Sequence, residues 1–130
     1  MRQRVFVYCM LLLLAISGVS EARPSRKTCL LFAKEIETVM RHGDKALVSM
    51  SPQAVRDQNR RVSDLKAKAD SNFVQANACY FAANSASALW SIKLQEHINP
   101  TATGSVWIQR RQEDYRDNLD LCKQGFEMPH

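Results

Sequence analysis

The residues with the most obvious chemistry in this chain are its four cysteines, which can form disulfides or bind a metal ion. Cys9 lies within an apolar N-terminal stretch, whereas Cys29, Cys79 and Cys122 lie in the more polar remainder. No two of them have the C-x-x-C spacing of many zinc and redox sites. The pattern predicts one disulfide with one thiol left over, and it predicts no metal ion and no other cofactor. The remaining thiol is either inert in the core or able to link two chains into a dimer.

The histidines and acidic residues form no recognisable catalytic set. His42 and His97 fall near the ends of predicted helices, where a positive charge interacts favourably with the helix dipole. The sequence contains no G-x-S-x-G, no H-E-x-x-H and no glycine-rich phosphate-binding motif. The sequence leaves open whether the protein is an enzyme, and it favours a role without catalysis.

The strongest charge feature is a stripe of basic residues on one predicted helix, which we expect to bind a partner. Its members are Arg56, Arg60, Arg61, Lys66 and Lys68. Surfaces that bind single-stranded nucleic acid combine basic side chains with aromatic ones on which the bases stack, and this helix has no aromatic residue. These residues are therefore candidates for contact with an acidic exported protein or an anionic envelope surface, with an ordinary solvent-exposed helix face as the alternative, and no nucleic acid is expected.

The first 22 residues resemble a cleavable secretory signal peptide. Arg2 and Arg4 precede an apolar run over residues 5–16, and Ser20 and Ala22 place small side chains before a cleavage site at Arg23. Cleavage would leave residues 23–130 as one domain with a net charge of about +4, because two of the 18 basic and one of the 13 acidic residues are removed. The domain contains no second apolar run long enough to cross a membrane. We expect it to be periplasmic or secreted.

The spacing of apolar residues predicts four helices in this domain. Their expected bounds are 28–42, 52–69, 72–98 and 104–123. Gly43 is expected to end the first helix, Ser51 and Pro52 to begin the second, and the polar residues 70–72 to separate the second from the third. The third helix is apolar on most sides, which is typical of a helix at the centre of a bundle. The predicted fold is therefore all-α, a small antiparallel four-helix bundle stapled by one disulfide.

The order of the helices brings the three cysteines into one layer of the bundle. The third and fourth helices form a hairpin that turns near residue 101, and Cys79 and Cys122 are almost equally far from that turn. At a rise of 1.5 Å per residue, their offset along the bundle is about 3 Å. The preceding turns bring Cys29 to the same level. We expect Cys79–Cys122 to be the disulfide, while Cys29–Cys122 and Cys29–Cys79 remain open alternatives.

These patterns favour a small exported protein that binds another exported or envelope protein without catalysing a reaction. Its size and helical architecture are similar to those of immunity or inhibitor proteins and secretion-accessory proteins, a likeness of architecture alone. A carrier of a small apolar ligand is an alternative, and an enzyme of unknown class is another. The carrier is suggested by the aromatic residues of the third predicted helix, which are Phe73, Tyr80, Phe81 and Trp90.

Overall fold

The computed structural model describes residues 23–129, which fold into four α-helices joined by short turns. We number the helices α1 (Arg26–Ser49), α2 (Pro52–Asn72), α3 (Ala78–Ile98) and α4 (Gly104–Lys123). No strand occurs in this part of the chain, and the predicted all-α four-helix bundle with one disulfide is confirmed. The predicted signal peptide, residues 1–22, lies outside the described residues. None of the four described helices combines the length and the apolar content needed to cross a membrane.

α1 is longer than predicted, because Gly43 does not end it. Gly43 is buried inside the helix, and a Cβ atom at this position would lie 2.7 Å from the Nε2 atom of Gln58 on α2. The missing side chain therefore lets α2 approach α1 closely. α1 ends instead at Met50, which adopts a left-handed backbone conformation (φ 47°) just before Ser51 and Pro52. Ser51, the residue before Pro52, is extended (ψ 130°), because proline disfavours the helical conformation in the residue that precedes it.

The break between α2 and α3 lies after residues 70–72, not within them. These polar residues are helical and complete the last turn of α2. Phe73 then leaves the helix in an extended conformation, and its buried ring packs 4.8 Å from the ring of Phe32 on α1. The next helix is capped by Asn77, whose Oδ1 atom accepts a hydrogen bond from the backbone N–H of Cys79 at 2.8 Å. The burial of Phe73 and the cap at Asn77 thus set this boundary.

α1 and α3 form the centre of the bundle and pack against each other. Each also contacts both α2 and α4, which lie on opposite sides and do not pack against one another in the described chain. The central position of α3 agrees with its apolar composition. The largest fully buried side chains are those of Ile36, Leu65, Leu89, Gln58 and Asn77, together with Cys29, Cys79 and Cys122.

α4 has the predicted bounds, and the chain turns away after it at Gly125, which has a φ of +68°. Trp107 lies on the outer side of this helix and is about half exposed. The guanidinium of Arg110 lies 5.2 Å from the centre of the indole ring. This cation–π contact covers part of the exposed ring.

Candidate functional site

Cys79 and Cys122 form the disulfide, as the register of the third and fourth helices predicted. Cys79 lies in the first turn of α3 and Cys122 in the last turn of α4, with their Cα atoms 4.4 Å apart. Both side chains are completely buried. The bond therefore closes the open end of the α3–α4 hairpin.

Cys29 lies in the same layer and keeps a free thiol. Its carbonyl oxygen is 3.6 Å from the Sγ atom of Cys122 and 4.0 Å from that of Cys79. Burial raises the pKa of the Cys29 thiol, and the negative charge of Glu127 adds to this, while a hydrogen bond with Asn77 opposes it. The thiolate is the reactive form of cysteine, so these surroundings make the thiol inert. A dimer linked through Cys29 would require the bundle to open, because the side chain has no exposed area.

The cysteine layer is closed by contacts that the sequence analysis did not identify. The side chain of Asn77 is buried, and its Nδ2 atom donates to the carboxylate of Glu127 at 3.4 Å. The segment after α4 pairs with the segment before α3, through hydrogen bonds from Ala78 N to Phe126 O and from Met128 N to Ala76 O. The signal for this pairing was weak, because one buried asparagine before an apolar run looks like any helix cap.

The five basic residues that were predicted to bind a partner are all exposed on α2, but they do not share one side of it. These residues are Arg56, Arg60, Arg61, Lys66 and Lys68. Arg56 and Arg60 are four residues apart and lie opposite the buried side chains of Val62 and Leu65, so they point away from the bundle. We call this surface the outer side of α2. An ion pair joins Arg60 to Asp57 at 3.4 Å.

The other three basic residues lie on the two flanks of α2. The Nζ atom of Lys68 is 2.8 Å from Oε2 of Glu35, so this side chain is paired with α1. Arg61 also faces α1, where it borders a cavity between the two helices. Lys66 lies on the α3 flank, two helical turns after Asn59, which accepts a hydrogen bond from a tryptophan of α3 at 2.7 Å. The structure thus divides the predicted stripe into an outer pair and two flanks.

One cleft combines a perturbed titratable group with several charges, as an enzyme site would. It has a volume of about 210 Å³ and lies between α1, α3 and α4, where Glu37, Arg41, Asp44, Lys93 and Tyr115 line it. Burial and the charges of Glu37 and Asp44 raise the pKa of Tyr115 to about 12, against a smaller effect of Arg41. A general acid or base works best with a pKa near the working pH, so this phenol is poorly suited to catalysis at pH 7. The Lys93–Asp44 ion pair, at 2.9 Å, holds two of the charges together.

The aromatic residues that suggested an apolar ligand have packing roles in the bundle. Phe73 and Trp90 are buried, and Trp90 donates its indole N–H to Asn59. Tyr80 and Phe81 contact each other edge to face, with ring centres 5.8 Å apart. These contacts account for the aromatic residues without a ligand. The ligand-carrier alternative therefore gains no support from them and stays a prediction.

Within residues 23–129, no group of three or more histidine, cysteine, aspartate or glutamate residues is placed to hold a metal ion. Comparison with known proteins adds no function, because no family model, no curated protein and no solved structure matches the chain.

Proposed function

We propose that this protein is exported to the periplasm or the exterior, where it binds an acidic surface of another exported or envelope protein without catalysing a reaction. It would act as an immunity or inhibitor protein, or as a secretion-accessory protein. The contact surface in this proposal is the outer side of α2. The observation that carries it is the exposed pair Arg56 and Arg60 on a helix that packs only against α1 and α3.

The charges on this surface are available to a partner. Among the described ion pairs, none involves Arg56, and Arg60 contacts only Asp57. Exposed pairs of this kind contribute little to stability, so the Arg60–Asp57 contact is readily exchanged for a contact with a partner. The guanidinium group binds carboxylates through two parallel hydrogen bonds, which gives both strength and orientation.

The surface is also rigid before binding. α2 has 21 residues and starts with Ser51 as its cap and Pro52 in its first turn. Its length is about 30 Å at 1.5 Å per residue. Gln58 hydrogen-bonds to the backbone of α1, and Asn59 hydrogen-bonds to α3. A surface held in place in this way loses little conformational entropy when it binds.

Two features support export without establishing it. The N-terminal residues have the charge, length and small-residue pattern of a signal peptide. The Cys79–Cys122 disulfide is of the kind that persists in oxidising compartments and is rare in the cytosol. Both features would be expected of a protein that folds after it has crossed a membrane.

The experiment begins with the full chain expressed in its own host, purified from the culture medium or the periplasm. Mass spectrometry of the N-terminus should find cleavage between Ala22 and Arg23. The purified protein is then used to capture partners from the envelope and secreted fractions. The affinity for the captured partner is measured for the wild type and for the double variant Arg56→Glu/Arg60→Glu.

We expect the double variant to weaken binding by at least about tenfold, mainly through a slower association that depends on salt. The matched control is Arg111→Glu/Arg116→Glu on α4, which reverses two exposed charges on the opposite side of the bundle. This control should bind as the wild type does. An unprocessed N-terminus would contradict export, and partner binding that survives the reversal on α2 would contradict the proposed surface.

A further inference from the structure

The cleft between α1, α3 and α4 contains a hydroxyl group that forms no hydrogen bond within residues 23–129. It belongs to Tyr115, which is only 8 % exposed and lines the cleft. The hydroxyl group is not sealed inside the protein, because it keeps accessible area towards the cleft. Polar atoms of largely buried side chains are nearly always hydrogen-bonded to the protein or to a molecule beside it. The hydroxyl group is therefore available to a molecule in the cleft.

The charges around this hydroxyl group indicate that it points into the cleft. Those that act on it belong to Glu37, Asp44 and Arg41, and all three residues line the same cleft. Their combined effect and burial raise the pKa of Tyr115 to about 12. The phenol therefore stays protonated at neutral pH and remains a hydrogen-bond donor.

The two carboxylates of the cleft are already neutralised by lysines. Oδ1 of Asp44 lies 2.9 Å from Nζ of Lys93, and Oε1 of Glu37 lies 2.6 Å from Nζ of Lys123. A carboxylate accepts hydrogen bonds at both of its oxygens, so each pair leaves acceptor capacity for a ligand. The carboxylates thus offer acceptors without requiring another cation.

Donors and an apolar wall complete the lining. Arg41 forms no ion pair within the described residues, and its guanidinium donates to Thr38 at 3.2 Å, which fixes its direction. The half-buried amide of Gln112 supplies both a donor and an acceptor. Met40 and Leu89 are buried and form the apolar part of the lining. The cleft therefore combines donors, acceptors and an apolar surface within a small space.

We propose that this cleft binds one saccharide unit. The neighbouring hydroxyl groups of a sugar ring each donate and accept, and the C–H groups of the ring form an apolar face. One hydroxyl would accept from Tyr115 and donate to a carboxylate, a second would accept from Arg41, and the apolar face would lie on Leu89. The volume of about 210 Å³ is below the roughly 300–1,000 Å³ of most ligand pockets, which limits the occupant to a single unit.

A small ion would satisfy fewer of these groups. A cation would have to displace Lys93 or Lys123 from its carboxylate, and it could not accept the hydrogen bond of Tyr115. A simple anion could accept from Tyr115 and Arg41, but it would bring no donor for the carboxylates and would be repelled by them. Hydroxyl groups fit both sets of partners, because each of them is a donor and an acceptor.

The inference is independent of the proposed protein partner. The cleft belongs to α1, α3 and α4, whereas Arg56 and Arg60 lie on the outer side of α2. Loss of saccharide binding in a Tyr115 variant and loss of partner binding in the Arg56/Arg60 variant can therefore be observed separately.

The test is an NMR titration of the purified protein at pH 7 with glucose, N-acetylglucosamine and glucuronate, and with acetate as a charged probe that is not a sugar. We expect saturable shifts of the backbone amides around the cleft with at least one sugar, and no saturation with acetate at the same concentration. Glucose and glucuronate differ in one carboxylate, so their relative affinities show whether the cleft takes a neutral or an acidic sugar.

The variants test the cleft directly. Tyr115→Phe keeps the buried ring and removes only the hydroxyl group, so it should weaken binding of the sugar about fivefold, the loss of one neutral hydrogen bond. Arg41→Gln should weaken it about tenfold, because it removes a hydrogen bond from a charged donor. The matched controls are Tyr80→Phe and Arg111→Gln, which lie outside the cleft lining and should bind as the wild type does.

Three results would overturn the proposal. The first is the absence of saturable shifts with all three sugars, which would mean that only water meets the Tyr115 hydroxyl group. The second is binding of acetate as tight as that of glucuronate, which would show attraction of charge alone. The third is an unchanged affinity in both Tyr115→Phe and Arg41→Gln, which would place the sugar elsewhere on the protein.

Discussion

Removing the disulfide should cost this protein a large part of its stability. In the double variant Cys79→Ala/Cys122→Ala the unfolded chain is no longer constrained by a bond between residues 43 positions apart. The loop-closure entropy of a loop of this length corresponds to about 4 kcal/mol. Small domains are typically stable by only about 5–15 kcal/mol. In a domain of this size, 1 kcal/mol lowers Tm by roughly 4–8 °C, so we expect a fall of roughly 15–30 °C.

Cys29→Ala separates the effect of the cross-link from the effect of lost packing. Cys29 is as completely buried as the two bonded cysteines, and it lies in the same layer. Replacing it removes one core sulfur atom but no covalent bond, and the cost of such a small cavity is about 1 kcal/mol. Its Tm should fall by only roughly 5 °C.

The assay is thermal and urea unfolding followed by circular dichroism, with and without a reducing agent. Reduction of the wild type should bring its Tm close to that of the double variant. The Tm of reduced Cys29→Ala should stay slightly below that of the reduced wild type, as it does when the disulfide is intact. Two results would refute this reasoning. One is a Tm loss in Cys29→Ala as large as that of the double variant, and the other is a wild type whose Tm is insensitive to full reduction.

Two further predictions concern Gly43 of α1 and Tyr115 of α4. In Gly43→Ala the new Cβ would lie 2.7 Å from Gln58 Nε2 and 3.2 Å from Trp90. Such overpacking costs about 1–3 kcal/mol, while the gain in helix propensity is at most about 1 kcal/mol. The free energy of unfolding, measured in urea, should therefore fall by about 1–2 kcal/mol. An unchanged unfolding midpoint would mean that α2 can move away at no cost. The pKa of Tyr115 is raised in the folded state to about 12, so the folded protein holds this proton more tightly than the unfolded chain. Stability that depends on Tyr115 should therefore be complete below pH 10 and be lost as the pH rises towards 12, by an amount of order 1–3 kcal/mol. Tyr115→Phe should flatten this part of the pH profile relative to the wild type, and identical profiles would contradict the assignment.

The sequence predicted best those features that depend on local signals and on simple geometry. Ser51 and Pro52 mark the start of α2 strongly, because one supplies a capping oxygen and the other a fixed φ. The partners of the disulfide followed from counting residues on either side of one turn. Such predictions succeed because the helical rise is nearly constant, so sequence distance converts directly into height along the bundle.

The errors arose where tertiary contacts decide the local structure. Gly43 resembles a helix terminator in the sequence, but its role is to admit the side chain of Gln58, which no local pattern reveals. The polar residues 70–72 were expected to separate the second helix from the third, but they are helical. The second helix ends after them, where the side chain of Phe73 is buried. The burial of Gln58 was not predicted either, since it results from the packing of two helices and not from a sequence motif.

The position of the disulfide also divides the molecule into parts that open at different free energies. The covalent loop encloses α3 and α4, which share the most extensive helix interface, while α2 lies outside the loop and touches only α1 and α3. Local opening in proteins follows such cooperative units, and the least supported one exchanges its amide hydrogens first. In this bundle that unit is α2, so the helix proposed to bind a partner is well ordered in the native state but should open at the lowest free energy, and a bound partner would slow the exchange of its amide hydrogens.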